Sequence, residues 1–180
     1  MVIAVSDLQG NLLALNRMPD ATVFSIDVAA TKARNMIYFS TTRLDPRDLP
    51  GIPPGTAVTN RTISFGAQPF FPPGIDNGPG PGPFIYLLQR NAARPCTQGN
   101  DSLNRQNQSG IVFFPGSATL YRDGQIVGGL GISGDGVSQD DVVTVGGVQG
   151  FEAPAKIRAD QILLRGIRLP YTKFIRNPLE

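Results

Sequence analysis

The chain has no histidine among its 180 residues, which removes the commonest general base, metal ligand and heme ligand together. The formal nucleophiles that remain are Ser133 and Cys96, and neither has an imidazole to activate it. Cys96 stands in Arg94-Pro95-Cys96-Thr97, where the Arg94 charge favours a thiolate; a structural thiol, or one paired outside this sequence, is the simpler reading. As the single cysteine it forms no internal disulfide, zinc cluster or CxxC pair. Asp140-Asp141, with Asp135 nearby, would offer carboxylates for acid–base work or for a hard cation. Adjacent helical residues point apart, however, so capping accounts for them better. Three Asn-x-Ser/Thr triplets, at Asn60, Asn100 and Asn107, fit a glycosylation pattern that chance explains in so Asn-rich a stretch.

Gly129-Leu130-Gly131-Ile132-Ser133-Gly134 matches the dinucleotide pattern GxGxxG between a predicted strand and a predicted helix. That chemistry needs a parallel βαβ unit and an acidic residue ending the next strand. Here the preceding strand is half of a hairpin through Asp123-Gly124, and the helix is followed by Gly150-Phe151-Glu152-Ala153-Pro154, which is no strand. The glycines instead let another backbone, or a flat ligand, approach the strand closely. A helix N-terminus near Ser138 would hold an anionic group such as a propionate.

The elements that position these residues follow from periodicity and turn chemistry. Val2–Val5 and Leu12–Leu15 flank a turn at 6–11 and read as a hairpin. A helix is predicted from Ser25 to Ser40, with Ser25 as N-cap and Asp27 in the first turn. Val28, Ala29, Ala33, Met36 and Ile37, with Phe24, mark its apolar face, and Lys32, Arg34 and Asn35 its opposite face. Periodicity vanishes between 44 and 110, where eleven of the sixteen prolines lie. The apolar residues there, Ile63, Phe70, Phe71 and Phe84–Leu88 among them, predict an ordered, Pro-stiffened insertion that wraps the domain or a partner subunit. Strands are predicted at 111–114, 118–122 and 125–132, a helix from Ser138 to about Val148 capped by Asp141, and a last strand at 161–165. Two hairpins force antiparallel pairing. The class is therefore α+β: an antiparallel β-sheet of about five strands with helices packed on it.

With 41% hydrophobic and 17% charged residues, the chain is a globular one with no linker splitting 1–178. A net charge of +2 argues against nucleic acid, and no apolar stretch reaches the roughly 20 residues a membrane span needs. Six of the sixteen cations lie between Lys156 and Arg176, in an extended basic C-terminal segment, 157–178, that reads as a solvated edge. Leu179-Glu180 has the look of a cloning junction. The start at the edge of a strand suggests a piece of a longer protein.

Two blocks resemble the GlcG/HbpS-like (PduO C-terminal-type) heme-binding domains. The first is Val5-Ser6-Asp7-Leu8-Gln9-Gly10-Asn11-Leu12-Leu13-Ala14, continuing through Arg17-Met18-Pro19-Asp20-Ala21 to Lys32-Ala33. The second runs from Phe114-Pro115-Gly116 through Asp123–Gly134 to Gln139-Asp140. The resemblance implies a profilin-like sheet-and-helix domain, a homo-oligomer, and heme or a related tetrapyrrole as ligand. It implies a pocket lined by Phe114, Pro115, Gly116, Gly131, Ser133, Gly134, Arg17, Met18 and Lys32, the cations meeting carboxylates and the glycines admitting a planar body. Plain fold maintenance explains the same residues equally well. Where relatives hold iron with histidine, Met18, Tyr38, Tyr86, Tyr121, Cys96 or a lysine would have to serve. Two further functions stand beside the binding domain: an oligomerisation or docking module of a larger protein, and an enzyme on a small metabolite that uses Cys96.

Overall fold

Alternation of buried and half-buried residues makes Val2–Ser6 the first strand, β1. A tight turn returns the chain into β2, Leu12–Arg17. The Asp7 carboxylate shapes that turn by accepting from the backbone N–H of Gln9 and Asn11 and from the Asn11 side chain. A second hairpin joins β3, Ser117–Arg122, to β4, Gln125–Ser133. Its turn needs positive φ at both central residues, and Asp123-Gly124 supplies 51° and 75°. The two hairpins form one antiparallel sheet in the order β2-β1-β4-β3. These elements belong to a computed structural model that describes residues 1–74, 79–94 and 104–173.

Helix α1, Ser25–Ser40, lies across one face of the sheet. Its approach is set by glycine: a Cβ on Gly129 or Gly131 would collide with the carbonyl oxygen of Ala33 or Ala29. Helix α4, Val137–Gly147, covers part of the opposite face, where Gly147 meets Leu130 and Ile132. The stretch 44–110 carries two more helices, α2 (Asn60–Gly66) and α3 (Ile85–Ala92). It also supplies much of the main core: Leu49, Ile63, Phe71, Phe84 and Leu87 pack with Met36 and Phe39 of α1 and with Leu164 and Leu169.

The antiparallel α+β architecture is as the sequence predicts, but several local expectations are corrected. The 111–114 segment joins no ladder. Its N–H groups are taken by side chains, Ile111 by Asn91 and Val112 by Asn35, at 3.0 and 2.9 Å. The sheet thus has four strands, and the final strand shrinks to a two-residue pairing of β5 (Leu163–Leu164) with β6 (Ile167–Arg168). The N-cap of α1 is the exposed Phe24 and not Ser25; Ser25 is the first residue of the helix, buried, with its hydroxyl 2.7 Å from that of Thr22. Lys32 and Asn35, expected on the side opposite the apolar face, are buried: Lys32 against Ile132 and Asp140, Asn35 against Asn60 and Gly110. Cys96, the Asn100 triplet and Leu179-Glu180 lie outside the described residues.

Candidate ligand-binding site

The chemistry of the domain gathers around the first turns of α4. Asp140 faces α1 and accepts from the Lys32 ammonium at 3.0 Å, while the same ammonium donates to the Ile132 carbonyl at 2.5 Å. Asp141 faces the other way. Its Oδ1 accepts from the Gly116 N–H at 2.8 Å, and its Oδ2 accepts from the Lys173 N–H at 2.9 Å and from the Arg61 guanidinium of α2. Neither carboxylate caps its own helix, whose N-cap is Gly136, with no side-chain cap. The two aspartates do point apart, as adjacent helical residues must, but each holds a different distant segment. Both are buried, which makes this pairing obligatory: a charge taken from water needs a partner. Burial pulls the Lys32 ammonium below its ordinary pKa, and the Asp140 charge opposes that pull.

Beside this network opens a cleft of ≈ 930 Å³. One wall is α4, with Ser138, Gln139, Val142 and Val143; the other is the segment Arg168–Lys173. Arg61, Arg168 and Lys173 bring positive charge to it and Asp135 and Asp160 negative charge, and Val142, Val143, Leu169, Pro170 and Tyr171 give it an apolar lining. The Nη2 of Arg61 is buried with no hydrogen-bond partner among the described residues. Such an orphan donor at a cavity wall is unusual. A second cleft of ≈ 940 Å³ is bounded by Thr41, Thr42, Arg43, Gln106, Tyr121 and Gln125, with Leu8, Ile37, Leu44, Ile126 and Ile157 among its apolar lining. Its one cation, Arg43, stands with Asp45, where the first cleft has three cations.

None of the nine residues expected to bind a ligand lines these clefts, and they fall into three groups. Arg17 and Met18 are exposed at the end of the edge strand, Arg17 donating to the Ala21 carbonyl at 2.5 Å. Lys32, Pro115, Gly116, Gly131 and Ser133 are buried in the frame; Gly131 seats α1, and the Ser133 hydroxyl is 3.3 Å from that of Ser25. Phe114 is exposed, and Gly134 packs against Met1. Two of the nine are linked to the cleft indirectly: Gly116 through Asp141 and then Arg61, and Gly134 through Met1, which lines it. Sequence reasoning missed Arg61, which sits in the stretch without periodicity. Arg168 and Lys173 had a signal, the run of six cations toward the C-terminal end. Of the Asn-x-Ser/Thr triplets, Asn60 and Asn107 are buried, and the Asn60 amide bonds to Asn35 and Val112.

A four-stranded antiparallel sheet with helices on both faces and a charged, apolar-walled cleft over α4 defines a small α+β domain with the features of a ligand-binding module. The chain belongs to the HbpS-like family, whose model, described as haem degrading protein HbpS-like, matches residues 1–149. The corrinoid adenosyltransferase PduO of Salmonella typhimurium is 26% identical over 140 residues, which are 78% of this chain and 29% of that protein. The chain thus spans under a third of this relative's length. Among solved structures, a PduOC:heme complex superimposes with a TM-score of 0.52 at 23% identity, covering 85% of this chain and 79% of that one. The Klebsiella pneumoniae protein ORFY gives the same TM-score at 22% identity, covering 85% and 75%. These two likenesses concern the fold.

Proposed function

We propose that the chain is a binding domain for an amphipathic, carboxylate-bearing ligand of tetrapyrrole size, held in the cleft between α4 and residues 168–173. The observation that carries this reading is the cleft itself: ≈ 930 Å³, an apolar wall, and Arg61, Arg168 and Lys173 at its edge. Pockets of this volume suit drug-sized to cofactor-sized molecules, and guanidinium groups meet carboxylates in paired hydrogen bonds. Membership of a heme-related family supports the ligand class. A binding role, not a catalytic one, is favoured by the lack of any histidine and by the burial of Ser133.

Heme itself fits this site in part. The ring and its carboxylates match the lining, and Met1 is the one thioether among the lining residues that could meet iron. Lys173 donates its ammonium to the Ser138 hydroxyl at 2.9 Å, and burial raises the Tyr171 phenol above its ordinary pKa, opposing a phenolate. Recognition therefore runs chiefly through the organic body. Titration with hemin and with metal-free protoporphyrin IX, followed by absorbance, tests this. Saturable binding of both, within about threefold of one another, is expected, with Arg168→Ala weakening both by about tenfold. Binding of neither refutes the reading; binding of hemin alone moves the site to an iron ligand elsewhere.

A second reading, an assembly module, has its own observation. The edge strand β2 is exposed along its whole length and carries Leu12, Leu13 and Leu15, with Leu13 at 65% exposure. A bare apolar edge invites pairing with another chain. The small share of PduO that the chain covers likewise supports use as one part of a larger protein. Light scattering decides: the parent forms a dimer or larger species and Leu13→Glu drops it toward monomer, whereas a monomeric parent ends this reading.

A further inference from the structure

The segment Leu169–Lys173 has no secondary structure of its own and is held across α2 and α4 by contacts of the kind that bind a peptide. Thr62 donates its hydroxyl to the Pro170 carbonyl at 2.7 Å, and Thr59 donates to the Tyr171 carbonyl. Asp141 accepts the Lys173 N–H, and Ser138 accepts its ammonium. Three of these four bonds engage main-chain groups, which read an extended backbone irrespective of sequence. Selectivity comes from the side chains. The Tyr171 ring packs against the cluster of Ala57, Tyr121 and Ala153, with the Arg158 guanidinium 4.9 Å from its centre. The same segment is a partition: Tyr171, Thr172 and Lys173 line both the ≈ 930 Å³ cleft and a neighbouring one of ≈ 430 Å³. It also lies beyond residues 1–149, the part shared with the family.

We infer that the α2–α4 face is a peptide-binding groove that recognises an extended Pro–Tyr–x–Lys segment, filled here by the chain's own residues 170–173 and open to the same sequence supplied in trans. Thr59, Thr62, Asp141 and Arg158 are its recognition residues. A tethered ligand competes at an effective concentration in the millimolar range, so the native chain resists exchange until its own segment is weakened. Vacating the groove joins the two clefts, so occupancy of the groove sets the shape of the neighbouring cavity. The inference stands independently of the tetrapyrrole reading.

Two full-length variants test it. Tyr171→Ala empties the aromatic slot; Lys173→Pro removes the donors to Asp141 and Ser138 while leaving Leu169 and Tyr171 in place, and so preserves the core should the first variant fail to fold. A fluorescein-labelled peptide with the sequence of residues 168–173 is titrated against each by fluorescence polarisation. Binding to the folded variant, roughly tenfold or more tighter than to the parent chain, is expected, with loss when the peptide's tyrosine is replaced by alanine. A folded variant that does not bind the peptide, or that binds the alanine peptide equally well, overturns the inference. Porphyrin titration of the parent chain, whose cleft walls are intact, tests the tetrapyrrole reading separately.

Discussion

Replacing Lys32 by methionine removes the ammonium that ties α1 to β4 and α4. Lys32 is 1% exposed and its aliphatic stem fills core space that a methionine also fills, so the change isolates the charge. What remains is Asp140, buried, with Oδ1 already lacking a partner among the described residues and Oδ2 newly deprived of one. Removing one member of a buried pair costs about 3–5 kcal/mol, chiefly from stranding the other charge. For a domain of this length each kcal/mol moves Tm by about 2–4 °C, so a fall of roughly 6–20 °C is expected. Thermal unfolding followed by far-UV circular dichroism measures it. The double variant Lys32→Met/Asp140→Leu strands no charge and should recover most of the loss, since an apolar pair of similar volume is often neutral. Protoporphyrin affinity of the single variant, below its melting range, should match the parent, because Lys32 does not line the cleft. A single-variant loss under about 1 kcal/mol, or a double variant no better than the single, would refute the assignment of Lys32 to the frame.

Two other perturbations test the frame. Burial raises the Tyr121 phenol from its ordinary 10.0 to about 12, so the folded chain holds that proton more tightly than the unfolded one. The corresponding stability is complete below pH 10 and disappears by about pH 12, a loss of about 2–3 kcal/mol. In urea unfolding at stepped pH, Tyr121→Phe should flatten this alkaline decline without abolishing it, because Tyr38 and Tyr171 are raised as well; identical declines would contradict the cause. Gly131→Ala places a methyl against the Ala29 carbonyl, whereas Gly124→Ala meets nothing within 4 Å and suffers only from its φ of +75°. The first should be about 2 kcal/mol more destabilising than the second in denaturant unfolding, and equal losses would mean that α1 does not rest on β4 as described.

What the sequence revealed, and what it hid, follows from the range of the interactions involved. Local signals succeeded: Asp123-Gly124 dictates its own hairpin, and the glycines of 128–131 announced a close approach, which proves to be that of α1. The 3.6-residue pattern located α1 and gave its boundaries, but it recognises one buried face. A helix covered on two sides buries Lys32 and Asn35 with partners about 75 to 108 positions away, Gly110 and Asp140 among them, and no window along the chain contains both. The same limit applies to 111–114, whose apolar run looks like a strand until distant asparagine side chains take its N–H groups. Asp141 read as a cap because Ser138 stands three residues before it. In the fold its carboxylate is spent on Gly116, Arg61 and Lys173.

This division of labour bears on how ligand preference arises in the domain. The sheet, α1 and α4 lie within the residues matched by the family model, and they supply one wall of the cleft and the Asp141 anchor. Arg168, Leu169, Pro170, Tyr171 and Lys173 lie outside that match, and they supply the facing wall and two of its three cations. Arg61 comes from the 44–110 region that also builds the main core. Each cationic group thus sits on a segment that the sheet does not position, and Asp141 is the shared partner that draws two of those segments, through Arg61 and the Lys173 N–H, onto one side of α4. An Asp141→Asn change would keep the shape but weaken both attachments at once. The cleft should then lose carboxylate selectivity before it loses affinity for the apolar body, which is the order expected when one buried charge organises the recognition of another.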